Sequence, residues 1–299
     1  MFNGCTSLSS LKVAFTAWGG QTRNWLNRVA ASGTFTCPAE LPDTRGVNNI
    51  PEGWTKVDAS PEIFYNEAPT KVYYYDDTSA EYNIVGEANT SNILSASSVQ
   101  KIEFGNTVSS IADSLFKKST KLQYVYTGWN CEVINDRSFN DITSLNTVVF
   151  GPGIKCIGNP AKASQNYPFA GSGPISSVVF HDDSQLSAVK YGAMLNAISC
   201  DELVIKSRAS SLDFSNWALA SDKQTKKVKV FIFDVDVIPT CNAGTLGSFD
   251  GQGFVNGESG CYAVVPDSLV TAWKATSPWS NWASNIISMT EYEAIKANA

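Results

Sequence analysis

The chain has 299 residues, of which 43% are hydrophobic and only 17% are charged, which argues against a disordered chain and against a coiled coil. Its formal net charge of −6 argues against nucleic acid as a partner, because phosphate binding needs clustered Lys and Arg, and the longest basic run is Lys226–Lys227. No run of about 18 apolar residues occurs, so the sequence predicts no membrane span.

The first 98 residues show little regularity. Residues 1–11 have neither a positively charged stretch nor an apolar segment, so they do not form a signal peptide. The run Thr22–Ala31 predicts a short helix, and the Pro- and Gly-rich remainder up to residue 59 predicts turns and loop. Further on, Val72–Tyr75 predicts a strand.

From residue 99 onward a short pattern recurs, in which one apolar residue is followed three and five positions later by two more. Its copies begin at Val99, Leu122, Leu145, Ile175, Cys200, Val228 and Cys261. These starts are 23, 23, 30, 25, 28 and 33 residues apart, and the first intervals fall in the range of leucine-rich repeats.

The spacing of the pattern predicts a strand in each copy, because residues two apart point to the same side of a strand. Stacked strands bury that side, and each buried large side chain contributes about 1.5–3 kcal/mol. The sequence therefore predicts a β-rich α/β solenoid with one short strand per repeat. Its central anchors are expected to stack as neighbours: Ile102, Val125, Val148, Val178, Leu203 and Phe231.

The second half of each unit also repeats, as an apolar pair followed by a phenylalanine. The phenylalanines are expected to fill the core from the side opposite the strand: Phe116, Phe139 and Phe169. Phe2 and Leu8 occupy the same places in residues 1–18, which therefore look like the end of an earlier repeat.

Units such as VQKIEFGNTVSSIADSLFKKSTKL and LNTVVFGPGIKCIG resemble the BspA-like leucine-rich repeats of bacterial surface proteins. FNGCTSLSSL resembles the last part of such a repeat, and GCYAVVPDSLVTAWKATSPWSNWASNI resembles the closing segment of such proteins. The resemblance covers residues 99–290 and, as a remnant, 1–18. It implies a non-catalytic, surface-displayed or extracellular adhesion module whose partner is a host or cell-surface protein or a glycan.

The resemblance also divides the chain. The expected parts are a remnant of a preceding repeat at 1–18, an array-ending segment at 19–59, a cap that opens a second array at 60–98, leucine-rich repeats at 99–260 and a closing segment at 261–299. In the closing segment, Asp267–Thr276 predicts a helix capped by Asp267 or Ser268, and Glu291–Ala299 predicts a short polar helix or a tail. Since residues 1–11 lack an export signal, one explanation is that Met1 is internal to a longer reading frame.

The sequence predicts no cofactor, no metal site and no catalytic centre. His181 is the only histidine, which argues against a catalytic triad, and it is expected in a turn with Asp182 and Asp183. The seven cysteines lack a C-x-x-C motif and are interpreted as core thiols, although a disulfide pair remains open. The acids at Asp76–Asp77, Asp182–Asp183 and Asp234–Asp236 are interpreted as surface turns rather than as a glycosidase pair or a calcium site.

One outward column of the predicted strands is more apolar than a solvated face requires. Three interpretations stand: an intrinsic strand preference, cover by a flanking segment, or a groove for a partner. Five of the eight tryptophans lie in cap-like segments and are expected to close the core ends: Trp25, Trp54, Trp273, Trp279 and Trp282. Trp129 instead follows a strand, where its ring is available to a ligand.

We therefore expect a ligand-binding site on the column and its neighbours. Its candidate residues are Tyr124, Tyr126, Trp129, Val149, Val179 and Val204. The chain is expected to be a monomer. Two other hypotheses are a phage-borne receptor-binding or tail-associated protein and, from a different class, a glycan-processing enzyme.

Overall fold

Parallel pairing of successive strands dominates the structure. The computed structural model describes residues 2–13, 18, 23–38, 41–59, 69–93, 96–163, 165–222 and 227–298. The chain forms two compact units, Met1–Ala68 and Pro69–Ala299.

The first unit contains a three-stranded parallel sheet of β1 (Ser10–Lys12), β2 (Gly33–Pro38) and β3 (Trp54–Ala59). Ser10 pairs with Thr34 and Gly33 pairs with Trp54, so neighbouring strands follow each other after 24 and 21 residues. That interval is in the leucine-rich-repeat range. The expectation of loop up to residue 59 is therefore wrong.

The first unit differs from both the loop and the helix that the sequence predicts. The glycines allow close approach of neighbouring turns: a Cβ on Gly53 would lie 1.9 Å from the carbonyl oxygen of Ala31. The predicted helix at Thr22–Ala31 is wrong over its described part, where residues 23–28 form turns. Asn24 and Arg28 have φ angles of 53° and 60°, which an α-helix does not tolerate.

The second unit begins with a six-stranded sheet whose inward residues form the core. Its strands are β4 (Thr70–Tyr74), β5 (Ser79–Tyr82), β7 (Val99–Glu103), β9 (Tyr124–Tyr126), β11 (Thr147–Phe150) and β13 (Ser177–Phe180). Strands β7, β9, β11 and β13 are parallel, and β4 adds to β7 in the antiparallel direction. Ile102 pairs with Val125, Val125 with Val148 and Val148 with Val178, which confirms the predicted stacking of these anchors.

A second sheet continues the stack. It contains β15 (Cys200–Ser207), β17 (Val228–Val235), β19 (Tyr262–Val265) and β20 (Ile286–Ser288), and Leu203 pairs with Phe231. Val178 and Leu203 belong to different sheets, so the predicted ladder is interrupted between β13 and β15. Both residues line a small apolar cavity of about 10 Å³ at this break.

Most repeats of the second unit carry a second, shorter strand in addition to the predicted one. These strands form a seven-stranded sheet of β6 (Gly86–Ala88), β8 (Val108–Ile111), β10 (Val133–Ile134), β12 (Cys156–Ile157), β14 (Ala188–Val189), β16 (Asp213–Phe214) and β18 (Thr240–Cys241). Ile111, Ile134 and Ile157 pair in register and are fully buried.

Turns that follow the short strands bring aromatic rings into the core. Phe116 stacks on Phe139 at 5.6 Å between ring centroids, and Phe139 stacks on Phe169 at 5.0 Å, as predicted. The hydrogen-bond ladder of these turns continues through Met194 and Leu219. These two smaller side chains line the cavity at the sheet break, which gives a physical reason for the empty space.

The C-terminal segment closes the second unit with tryptophans and two helices. Helix α1 (Val270–Ala275) is followed by a 3-10 segment at Trp279–Asn285 and helix α2 (Met289–Ala297). Trp273 and Trp279 are fully buried, as expected for rings that close the core. In the described part of the chain, no helix has both the length and the apolar character needed to cross a membrane.

The two C-terminal helices were predicted with unequal success. The cap assigned to Asp267 or Ser268 is wrong, because α1 starts after Leu269 without a side-chain cap bond. Asp267 instead accepts a hydrogen bond from the backbone N–H of Thr290 at 3.0 Å. The second helix begins at Met289, and Ser288 and Glu291 form its capping box.

Candidate binding face

The outward side chains of β4, β7, β9, β11 and β13 form one continuous surface, which we call the strand face. Its main members are Tyr73, Lys101, Glu103, Tyr124, Tyr126, Val149 and Val179. Glu103, Tyr126, Val149 and Val179 pair across four parallel strands. With strands about 4.8 Å apart, this row is roughly 15 Å long.

Two tyrosines and a lysine are fixed together at one end of the strand face. The Nζ atom of Lys101 lies 5.0 Å from the ring centroid of Tyr73 and 4.9 Å from that of Tyr124. The same atom is 2.9 Å from Oε1 of Glu103, and this hydrogen bond raises the pKa of Lys101. Burial raises the pKa of Tyr124. The rings are therefore held in place before any partner arrives.

The candidate residues differ in their access to solvent. Val179 is 47% exposed, and Tyr124, Tyr126 and Val149 are half-buried. Val204 lies elsewhere, because it packs in a separate apolar cluster with Ile232 and with Tyr292 of helix α2. The structure thus brings four of the predicted residues onto the open strand face and places Val204 beneath a helix.

Helix α2 is fastened to the second sheet by polar contacts as well as apolar ones. The hydroxyl of Tyr292 donates a hydrogen bond to Oε1 of Glu202 at 2.7 Å, and Nζ of Lys296 lies 3.2 Å from the same oxygen. The bond from Tyr292, followed by that from Lys296, lowers the pKa of Glu202.

Trp129 and His181 lie at the edge of the strand face, in the loops that follow β9 and β13. Their rings meet edge to face at 4.9 Å between centroids. Nδ1 of His181 accepts a hydrogen bond from the backbone N–H of Asp183 at 3.1 Å, so the predicted turn is confirmed. Gly128 has a φ angle of 81°, and a Cβ there would lie 2.7 Å from the carbonyl oxygen of Phe104. Only glycine therefore fits this position of the loop, which places Trp129 at the edge of the strand face.

Sequence reasoning missed Tyr73 as a member of the face. The strand Val72–Tyr75 was predicted, but its pairing with β7 was not. The pairing of Tyr73 with Lys101 is antiparallel and is followed by a shift of register, and neither feature belongs to the repeat pattern. The run Val72–Tyr75 has no alternation of polar and apolar residues, so the sequence held no signal that distinguishes the outward Tyr73.

The acids considered for catalysis or calcium binding are engaged with basic or hydroxyl groups. Asp234 lies 2.8 Å and Asp236 3.6 Å from the guanidinium of Arg208. Hydrogen bonds from Thr78 lower the pKa of Asp76. Within the described residues, no group of three or more His, Cys, Asp or Glu side chains is arranged to hold a metal ion.

The cysteines behave as thiols. All seven are free of disulfide bonds, and Cys37, Cys131 and Cys156 are buried, as predicted for core thiols. Burial raises the pKa of Cys131 to about 12 and that of Cys156 to about 11. Cys5 is exposed and departs from that expectation.

The geometry and the family comparison agree on the nature of the repeats. The family model described as "BspA type Leucine rich repeat region (6 copies)" matches residues 87–167. Over these residues the chain is therefore similar to the BspA-type leucine-rich repeats. The matched BspA-type region includes β7, β9 and β11 of the strand face. Neither the comparison with curated proteins nor that with solved structures found a match.

Proposed function

We propose that this chain is a non-catalytic adhesion module, displayed at a cell surface, that binds a protein partner through the strand face. One observation carries the proposal. Helix α2 covers the outward residues of the second sheet, including Val204 and Ile232, whereas Val179 of the first sheet is 47% exposed. The same kind of apolar column is thus closed at one end of the stack and open at the other.

The composition of the open part suits a protein. Tyrosine and tryptophan dominate the energetic centres of protein interfaces, and the strand face supplies Tyr73, Tyr124 and Tyr126 with Trp129 at its edge. The ion pair of Lys101 and Glu103 offers both charges to a partner. A row roughly 15 Å long is small for a standard interface, so we expect the tyrosines and Trp129 to extend the contact.

Surface display and the absence of catalysis rest on separate arguments. Proteins with BspA-like repeats are usually found at the surface or outside the cell, and leucine-rich repeats typically bind rather than catalyse. The single histidine is engaged with Trp129 and Asp183, which supports a structural role.

The test compares how strongly two double variants bind to intact cells. Labelled wild-type chain is titrated onto cultured epithelial cells and onto bacterial cells, each with and without prior protease treatment. Tyr126→Ser with Val179→Ser is expected to weaken protease-sensitive binding by about tenfold or more, because both side chains leave the interface centre. Circular dichroism and melting temperature should stay near wild type, because neither side chain belongs to the core.

The matched control also replaces one tyrosine and one valine by serine. Tyr75 is 58% exposed and Val85 is 83% exposed, and neither belongs to the row that crosses the four strands. Tyr75→Ser with Val85→Ser should bind as wild type does. Equal affinity of both double variants would contradict the proposal and move the site away from the strand face.

A further inference from the structure

Three aromatic side chains form a row on the turn side of the second unit, away from the strand face. They lie on successive repeats, just before the buried residues that fill the core from that side. The ring centroids of Tyr167 and Tyr191 are 5.9 Å apart, and those of Tyr191 and Trp217 are 5.6 Å apart. All three are half-buried, so each presents part of its ring to solvent.

The row ends at a pocket of about 390 Å³, a size suited to a small ligand or to one end of a longer one. Trp217 and Leu195 supply apolar wall, and Thr245, Asp222 and Asp250 supply oxygen atoms. None of the described residues that line the pocket is Lys or Arg. The described lining residues therefore offer an aromatic wall and hydrogen-bond acceptors.

Glycines shape the pocket where the chain passes close to itself. Gly251 has a φ angle of 76°, and a Cβ there would lie 1.6 Å from the carbonyl oxygen of Ser221. A Cβ on Gly247 would lie 2.4 Å from Oδ1 of Asp250. The turn therefore holds the Asp250 carboxylate against the backbone, beside the indole of Trp217. Burial at this place raises the pKa of Asp250.

Trp217 has an unfavourable backbone conformation for a large side chain. Its φ angle is 57°, in the left-handed region, which costs a non-glycine residue about 1–2 kcal/mol. The hydrogen-bond ladder of the turns matches it with Gly192 of the preceding repeat, whose φ angle is 62°. Ser114 and Arg137 of earlier repeats have φ angles of 62° and 55° in the corresponding turns, so the left-handed conformation belongs to the repeat. At Trp217 this turn carries a half-buried indole at the rim of the pocket.

We propose that the aromatic row and its pocket bind a neutral glycan chain. One sugar ring stacks its C–H face on Trp217, and its hydroxyl groups donate hydrogen bonds to Asp250 and Asp222. Further sugar units follow the row over Tyr191 and Tyr167. The carboxylates of Asp222 and Asp250 also attract a cation, but the three rings do not form an aromatic cage around one. Tyr167 and Tyr191 meet at 78°, Tyr191 and Trp217 meet at 48°, and of the three only Trp217 lines the pocket.

The glycan site goes beyond the proposed function and does not depend on it. Its residues lie on turns, whereas the strand face lies on β4, β7, β9, β11 and β13. A chain that binds nothing through the strand face would still bind a glycan here.

In the test, the full chain is titrated with cellohexaose, chitohexaose and mannohexaose. Binding is measured by tryptophan fluorescence and by calorimetry. At least one of these hexasaccharides is expected to bind. Trp217→Gly removes the indole and relieves the left-handed backbone, so the fold should persist while affinity falls by about tenfold or more. Tyr191→Ser and Asp250→Asn should each weaken binding several-fold.

The matched controls separate this site from the strand face. Trp129→Ala removes a half-buried tryptophan at the edge of the strand face and should leave saccharide affinity unchanged, as should Tyr126→Ser with Val179→Ser. The proposal is overturned if no hexasaccharide binds at millimolar concentration. It is equally overturned if Trp217→Gly binds as wild type does, or if the pocket prefers tetramethylammonium or an arginine-containing peptide.

Discussion

Val148 shows how strongly a single anchor is determined by its place in the repeat. It is fully buried and pairs with Val125 on one side and Val178 on the other. Its neighbour Val149 points outward and is half-buried. Two adjacent valines therefore have opposite environments, because successive residues of a strand face opposite sides of the sheet.

Replacing Val148 by Asp should lower the free energy of unfolding by several kcal/mol, because a charge would be buried without a partner. The measurement is chemical denaturation of the full chain, with Val149→Asp as the matched control. The control should lose much less stability, since its carboxylate reaches solvent. A midpoint for Val148→Asp near that of wild type would contradict the assigned register.

At the residue scale the sequence predicted the inward anchors better than the members of the two proposed binding surfaces. Anchors such as Ile102 and Val125 recur in the same short triplet in every unit, although the intervals between units range from 23 to 33 residues. Tyr73 and Trp217 do not, because one lies on an antiparallel cap strand and the other on a turn in the degenerate part of the array. Their importance depends on neighbours from other repeats, which one sequence does not reveal.

At the element scale, helix α2 decides which part of the apolar column stays open. Val204, Ile232 and Val264 form the surface on which it packs, and Tyr292 is its buried side chain. The sequence predicted a short helix or a tail here. Its docking place was not predictable, because the contact between Tyr292 and Glu202 joins residues 90 positions apart.

The link between Glu202 and helix α2 should depend on pH. Because its folded-state pKa is lowered from 4.5, chiefly by Tyr292, the ionised carboxylate stabilises the folded chain above that value. This contribution is lost as the pH falls through the lowered pKa. Glu202→Gln should therefore melt below wild type at neutral pH, and the difference should shrink in acid.

The control for this effect is the exposed ion pair of Glu132 and Lys155, whose charged atoms are 2.6 Å apart. Glu132→Gln should change the melting temperature little at any pH, because exposed ion pairs contribute little to stability. Amide exchange in α2 should be faster in Glu202→Gln alone. A pH-independent difference between Glu202→Gln and wild type would show that the carboxylate charge plays no part in docking.

At the scale of the whole molecule, the main buried clusters of the residues that the structure describes each belong to a single unit. The cluster of the first unit contains Trp25, Phe35 and Trp54, and that of the second runs from Val72 to Ile286 without a member of the first. The sequence predicted the remnant of an earlier repeat at residues 1–18, where the triplet occurs at Leu8, Leu11 and Val13, but it missed strands β2 and β3. The spacing of 24 and 21 residues between these strands becomes visible only in their pairing.

The separate clusters predict that residues 69–299 fold without the first unit. Both ends of this stack are closed, by the antiparallel strand β4 next to β7 and by Trp273 and Trp279 at the other end, as a solenoid requires. The fragment should give a cooperative thermal transition within a few degrees of the corresponding transition in the full chain. It should also retain hexasaccharide binding.

A shorter fragment, residues 99–299, supplies the matched comparison. It lacks β4, so Ile102 loses its partner Val72 and the edge of β7 is exposed. Because an uncovered parallel edge invites aggregation, this fragment should be less soluble and should melt at a lower temperature than 69–299. Equal stability of the two fragments would mean that the β4–β5 hairpin is not the cap of the stack. An unfolded 69–299 fragment would mean that the second unit depends on residues 1–68.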